Sequence, residues 1–213
     1  MNRLGILIDI THGTEAIQTQ LIEASRTLVV ASHESIRAVS GMGMFDNMLK
    51  ALASKGGVVG IHGAAGIIGK RYRKWLAENR ERAEEASKAT PNMVGYRPKE
   101  PRAAGDRGEY IERFDREFAE VWRSRASWRE IPDLGPFIPN AEEWAEHVDH
   151  VIKAIGVDHV AIGLDLAGAR SAIPVNSGGY GELAAALKRI STPANIRKIA
   201  GENWFRVIDA AKV

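Results

Sequence analysis

Apolar positions in this chain gather into four short runs: Leu4 to Ile10, Thr27 to Ser32, Gly57 to Ile61, and His159 to Leu164. Each is rich in Val, Ile or Leu and bounded by turn-forming residues, and none alternates cleanly between apolar and polar. That pattern predicts strands covered on both faces. Between the runs the apolar spacing lengthens to a helical period. Thr14 can cap a helix running through Arg26, with Glu15 in its first turn favourable to the dipole. Phe45, Met48, Leu49 and Leu52 predict a second helix, stopped by Lys55-Gly56-Gly57. Ala141 to Ile155, Glu182 to Ile190 and Ala194 to Ala211 read as further helices, with Pro193 in the first turn of the last. Strands alternating with helices predict a parallel α/β sheet.

The stretch from Lys70 to Asn140 breaks this rhythm. Lys70 to Lys88 is charged nearly all round, which predicts a solvated or partner-facing helix. Pro91 to Gly108 reads as an irregular loop. Arg113 to Arg129 is basic and carries Trp122 and Trp128, and it reads as an amphipathic lid or surface hairpin. Ile131 to Pro136 is a rigid connector. With no internal repeat, the chain reads as one domain over 1–213 with a largely helical insertion at 70–140.

Composition narrows the classes. With 213 residues, 45% apolar and 26% charged, the chain can bury a real core. Lys and Arg number 29 against 27 for Asp and Glu, and a net charge of +2 gives no footing for nucleic acid. There is no cysteine, which excludes disulfide scaffolds, thiol nucleophiles and Cys-based zinc sites. The longest apolar runs fall far short of the ~20 residues of a membrane span. No signal-peptide pattern opens the sequence, so the expectation is a cytoplasmic protein.

The chemistry lies where polar residues meet strand ends. The first strand runs into Asp9-Ile10-Thr11-His12, the second into Ser32-His33, the third into His62, and the fourth into Asp165. Parallel α/β folds place ligands and catalysis at the C-terminal ends of their strands. Neighbouring strands lie ~4.8 Å apart, so imidazoles at adjacent ends can meet on one ion. His12, His33 and His62 with Asp165 thus form a candidate site for zinc or a similar divalent ion, whose bound water reaches a pKa near ~7.

Other residues read differently. His147 and His150 share one face of a helix and read as structural. His159 opens a strand at the opposite end from the candidate site. Gly60, Gly63, Gly66 and Gly69 resemble a dinucleotide phosphate loop, but the spacing departs from Gly-x-Gly-x-x-Gly, and they read as hinge glycines. Gly41-Met42-Gly43-Met44 reads as a plain loop. No Gly-x-Ser-x-Gly elbow is present.

With these residues in place, the chain resembles the membrane (renal) dipeptidase family of zinc peptidases. The likeness runs through Asn2-Arg3-Leu4-Gly5-Ile6-Leu7-Ile8-Asp9-Ile10-Thr11-His12 and Ala31-Ser32-His33-Glu34-Ser35. It continues through Gly156-Val157-Asp158-His159-Val160-Ala161-Ile162-Gly163-Leu164-Asp165, and closes on Gly201-Glu202-Asn203-Trp204-Phe205-Arg206-Val207. The resemblance implies a (β/α)₈ barrel, two zinc ions bridged by a glutamate, and hydrolysis of dipeptides or related small amides by a metal-bound hydroxide. By the match, His12 and His33 correspond to the histidines of the second zinc. Asp165 corresponds to the acid that handles the proton or substrate amine.

The likeness covers the later half of the family pattern. The His-x-Asp motif of the first barrel strand and the bridging glutamate have no counterpart here, and Met44 stands where the family has the arginine for the substrate carboxylate. Arg37 lies near that position. His62 stands where an asparagine is more common. A full barrel takes about 250 residues and eight strands, so the expected fold is a parallel (β/α) half of a TIM-type barrel with about four strands. Two open edges then invite a homodimer or a complementing chain that closes the barrel. Three functions remain open: a zinc-dependent hydrolase of the dipeptidase type, a non-catalytic binding or partner subunit on the same scaffold, and a nucleotide-binding oxidoreductase resting on the glycine series.

Overall fold

The computed structural model describes residues 1–82, 116, 137–165 and 179–211. Four strands form one sheet in the order β1-β2-β3-β4, all parallel: β1 (Ile8–Asp9), β2 (Val29–Glu34), β3 (Val58–Ile61) and β4 (Val160–Ile162). Helices fill the connections: α1 (Glu15–Ala24), α2 (Arg37–Ser40), α3 (Asp46–Ser54), α4 (Ala65–Ile68) and α5 (Lys70–Glu78), then α6 (Ala141–Ile155) before β4. After β4 come α7 (Tyr180–Ile190), α8 (Pro193–Arg197) and α9 (Asn203–Ala211). This is the expected half of a barrel. Among the described residues, no helix is long and apolar enough to cross a membrane.

Capping chemistry sets the helix starts. The Thr14 hydroxyl accepts the Ile17 N–H at the head of α1. Asn140 and Glu143 form a reciprocal capping box on α6. Thr192 caps α8, with Pro193 in its first turn. The stop after α3 is mechanical: Gly56 takes φ 76°, and a Cβ on Gly57 would sit 2.2 Å from the Val29 carbonyl oxygen.

The central strands of the sheet are buried on both faces, while β1 at its edge is half-exposed. On one face Val29, Ala31, Val59, Ile61 and Val160 pack with Trp144, Val148 and Val151 of α6, Leu183 and Leu187 of α7, and Ile199. Trp144 is fully buried, and its indole N–H donates to the Ile61 carbonyl at 3.3 Å. On the other face Val30, Val58 and Ala161 meet Val207 of α9, with Leu7, Leu28 and Trp204 at the margin.

Several sequence expectations need correction. The segment Ala194 to Ala211 is not one α-helix: a π turn, Lys198–Glu202, separates α8 from α9. α5 does bury a face, a narrow one, because Tyr72 and Trp75 three residues apart pack on Ala65, Phe137 and Ile138. The glycines at 60 and 69 have a steric reason of their own: neither has room for a Cβ, Gly69 meeting Pro139 at 2.6 Å. Gly41 to Met44 is a built turn: Met44 is buried, bridges Ile36, and exchanges backbone hydrogen bonds with Ser35 and Arg37. The predicted loop at 91–108, the segment 113–129 and the connector 131–136 lie outside the described residues, apart from residue 116.

Candidate metal centre

The carboxyl ends of the strands carry the polar residues that the core excludes. Asp9 organises the first two: its Oδ1 accepts the N–H of Thr11 at 3.1 Å and of Ser32 at 3.0 Å, tying the loop after β1 to β2. Burial pushes the Asp9 carboxyl up, but the hydrogen bonds from Ser32 and Thr11 outweigh it and hold the group below the usual carboxylate range. The loop then turns at His12 in the left-handed region, φ 66°. Among the described residues, Asp165, beyond β4, is the other non-glycine residue at positive φ, 50°. Conformations of this kind cost of order 1–3 kcal/mol and persist where the surroundings over-determine them.

β2 and β3 fall out of step between Ala31 and Glu34: Ala31 pairs with Val59, but Glu34 pairs with Ile61, three residues against two. The bulge contains Ser32 and His33, and it lets consecutive side chains, His33 and Glu34, line the same cleft. It also explains two glycines. A Cβ on Gly60 would lie 2.1 Å from the Ser32 carbonyl oxygen and one on Gly163 2.0 Å from it. No side chain fits at either position while that carbonyl stays where the bulge puts it.

The four predicted residues meet. The Nε2 atoms of His12 and His33 are 3.0 Å apart. Asp165 Oδ2 lies 3.9 Å from His33 Nε2 and 3.8 Å from His62 Nε2. The rings stand edge-on in series, with centroids 4.8 Å apart for His12 and His33 and 5.1 Å for His33 and His62. His33, His62 and Asp165 offer donor atoms that all lie within 4.8 Å of one another. Behind His33, its Nδ1 is 2.7 Å from the Ser32 hydroxyl, which in turn donates to the Thr11 hydroxyl at 3.3 Å. A ring anchored this way on one nitrogen presents the other, the arrangement that orients metal-binding histidines.

The cleft in front of these rings has a volume of about 240 Å³. Glu34 and Gln18 on its wall were not predicted. Gln18 Nε2 donates to Glu34 Oε1 at 2.7 Å. Burial pushes the Glu34 carboxyl up, opposed by the Gln18 hydrogen bond and by the His12 charge. The signal was the run Ser32-His33-Glu34, whose last two residues lay beyond the predicted strand. Burial, reinforced by the neighbouring His33, lowers His62 to about 4 against the opposing pull of Asp165. Arg37 also lines the cleft; its Nε donates to the Gly43 carbonyl at 3.1 Å and its guanidinium lies 4.0 Å over the Phe45 ring.

The remaining histidines hold structure. His147 is buried and its Nδ1 accepts the Ile36 N–H at 3.1 Å. His150 pairs with Asp46 of α3 at 2.8 Å. His159 meets the Gly57 carbonyl at 2.8 Å, at the far end of the sheet.

A model of the membrane dipeptidase family, peptidase family M19, matches residues 1–213. The chain belongs to this family. Relatives in the membrane dipeptidase family include dipeptidase 3 of Rattus norvegicus, 34% identical over 70 residues, a stretch that is 32% of this chain and 14% of the rat protein. Dipeptidase 3 of Mus musculus is 33% identical over a stretch of the same length. A metallo peptidase from Rhodobacter sphaeroides, solved with a phosphinate mimic of the dipeptide L-Ala-D-Ala, superposes with a TM-score of 0.63 at 20% identity, over 99% of this chain and 44% of its own. The probable dipeptidase PvdM from Pseudomonas aeruginosa gives 0.61 at 21%, over 99% and 52%. The chain thus spans about half the length of these solved structures, and the shared fold is that of a TIM-type barrel.

Proposed function

We propose that this chain carries a metal site of a dipeptidase-type hydrolase acting on dipeptides or related small amides, with zinc as the ion. The observation that supports this most is the meeting of His12 Nε2 and His33 Nε2 at 3.0 Å, beside Asp165, on a membrane dipeptidase scaffold.

The residues fit an ion of this kind. Two imidazole nitrogens bonded at ~2.0–2.1 Å to a tetrahedral zinc lie roughly 3.3 Å apart, close to the separation found. Imidazole with carboxylate is a borderline donor set that suits zinc. His12 and His33 are the residues that would hold the ion, with Asp165 adjoining. When bound, a divalent ion supplies Lewis acidity that polarises a carbonyl and makes water a usable nucleophile near neutral pH.

The chain's own side chains supply the rest. Asp165 takes the proton released as water adds to the amide carbonyl and delivers it to the leaving amine, so that one carboxyl serves as base and then acid. Its carboxylate lies 3.9 Å from His33 Nε2 and 3.8 Å from His62 Nε2, beside the candidate ion position. Arg37, on the cleft wall, is the cation for the substrate carboxylate. Ser32, itself 3.3 Å from the Thr11 hydroxyl, is placed to anchor the His33 ring at Nδ1. Among the described residues β1 and β4 are the sheet's edges; a second copy of the chain or a complementing chain covers them, completing a barrel around the same mouth. A sedimentation mass of one chain at micromolar concentration, with activity retained, contradicts that closure.

The direct test is dipeptide hydrolysis by zinc-loaded protein beside Asp165→Asn. We expect turnover in the parent and a loss of at least ~10²-fold in kcat in the variant, the scale of a positioned acid–base group. A parent that binds zinc and cleaves no dipeptide supports a binding subunit instead.

A further inference from the structure

The three histidines of the cleft are not equivalent, because their second nitrogens meet different partners. His33 Nδ1 faces the Ser32 hydroxyl at 2.7 Å. That hydroxyl also lies 3.3 Å from the Thr11 hydroxyl, and with its own proton turned there it accepts from the ring and leaves His33 Nε2 bare. His62 is the reverse. Its Nδ1 receives the backbone N–H of Ala64 at 3.0 Å. A backbone amide is always a donor, so this nitrogen must be the unprotonated one, and the ring proton must sit on Nε2.

The loop after β3 fixes this arrangement. The His62 N–H donates to the Glu34 carbonyl at 2.9 Å and the Gly63 N–H to the Leu164 carbonyl at 3.1 Å, so the backbone at 62–63 is clamped to both neighbouring strands. The His62 ring folds back on Ala64, the residue preceding α4, and is buried. Its Nε2 points into the cleft, where Asp165 Oδ2 lies 3.8 Å away. That distance is too long for a hydrogen bond. It leaves a buried N–H aimed at the mouth without a close acceptor in Asp165.

We propose that His62 is a hydrogen-bond donor to a carbonyl or carboxylate oxygen of the substrate, and not a ligand of the metal. An imidazole whose Nε2 carries the proton has no lone pair there to offer an ion, and its Nδ1 lone pair is occupied by Ala64. A neutral N–H held by backbone in a buried cleft is the kind of pre-oriented donor that stabilises charge developing on an oxygen. The nature of that oxygen rests on the hydrolase reading above; the donor assignment itself does not.

The test begins with metal-free, nitrogen-15-labelled protein at neutral pH, its His62 ring signals assigned by their loss in His62→Gln. The expected spectrum shows His62 protonated at Nε2 and bare at Nδ1, and His33 with the opposite tautomer. Zinc titrations then compare the parent, His62→Gln and His33→Ala. Gln keeps an N–H near the Nε2 position but is a poor ligand, so His62→Gln should bind zinc within about threefold of the parent. His33→Ala should lose more than about a hundredfold, as befits a lost ligand. A His62 proton found on Nδ1 overturns the proposal. So does loss of its Nε2 proton on adding zinc, or a fall in affinity beyond tenfold in a His62→Gln that keeps the parent's circular dichroism. If the parent binds no zinc, the metal reading fails, while the metal-free tautomer still decides the role of His62.

Discussion

At the amino end of the sheet, polar side chains close onto backbone. His159 meets the Gly57 carbonyl at 2.8 Å, and Asn203, almost fully buried, donates to the carbonyls of both Val157 and Val160 at 2.8 Å. Arg206 reaches the carbonyls of Gly56 and Asp158, while Lys198 holds the Asp158 carboxylate at 2.6 Å. At the carboxyl end, His12, His33, His62 and Asp165 converge on one another instead, and the backbone beneath two of them is left-handed. Buried polar groups ordinarily satisfy the backbone first. A cluster that turns its nitrogens toward one point, at a cost in backbone strain, is what the proposed metal site calls for. The contrast is sharpest between histidines: the same ring locks a helix to a loop at His147 and stands at a cleft at His33.

This contrast can be broken at its structural side first. Burial holds His147 down at about 4, with the charges of Arg73 and His150 adding to the depression and a backbone hydrogen bond to Ile68 opposing it. The ring is therefore neutral in the folded protein, whereas in the unfolded chain it takes up a proton below pH ~6.5. Stability from this residue is complete above that value and declines as pH falls toward 4. The full decline is roughly 3 kcal/mol. Urea unfolding at pH 7, 5.5 and 4.5 should show the slope, and His147→Gln should flatten its share of it.

Asn203→Ala comes next. It leaves two carbonyls without their donor, and unfolding should show a loss of about 2 kcal/mol with zinc affinity unchanged. Equal losses in stability and zinc affinity would erase the distinction between the two ends. The smallest effect tests the opposite side: Ser32→Ala removes the anchor of His33 Nδ1, and zinc affinity should fall about tenfold while the unfolding midpoint barely moves.

How much of this the sequence disclosed follows from what each feature leaves in a sequence. Three apolar runs gave β2, β3 and β4 because burial on both faces admits little else. The run Leu4 to Ile10 instead opens in a 3-10 turn with Leu4 and Ile6 exposed, and only Ile8–Asp9 pairs as a strand. α6 was legible at both ends, bounded by Asn140 and Gly156. The meeting of His12, His33, His62 and Asp165 followed from the parallel topology alone. The bulge at Ser32 and His33 did not, since an extra residue in one strand has no compositional mark, and with it went Glu34 and the reason for Gly60 and Gly163. Left-handed backbone at His12 and Asp165 was equally silent, because neither residue type announces it. The π turn before α9 and the aromatic stripe of Tyr72 and Trp75 were hidden by neighbours that favour the commoner reading, a straight helix and a solvated one.

Zinc bound per chain at neutral pH, measured in the parent and in His12→Ala/His33→Ala with unfolding curves alongside, tests the central claim most directly. The account predicts about one zinc in the parent and none in the double variant, at a stability within ~1 kcal/mol of the parent, because neither ring supports the core. Equal zinc in both proteins, or none in the parent, would contradict it.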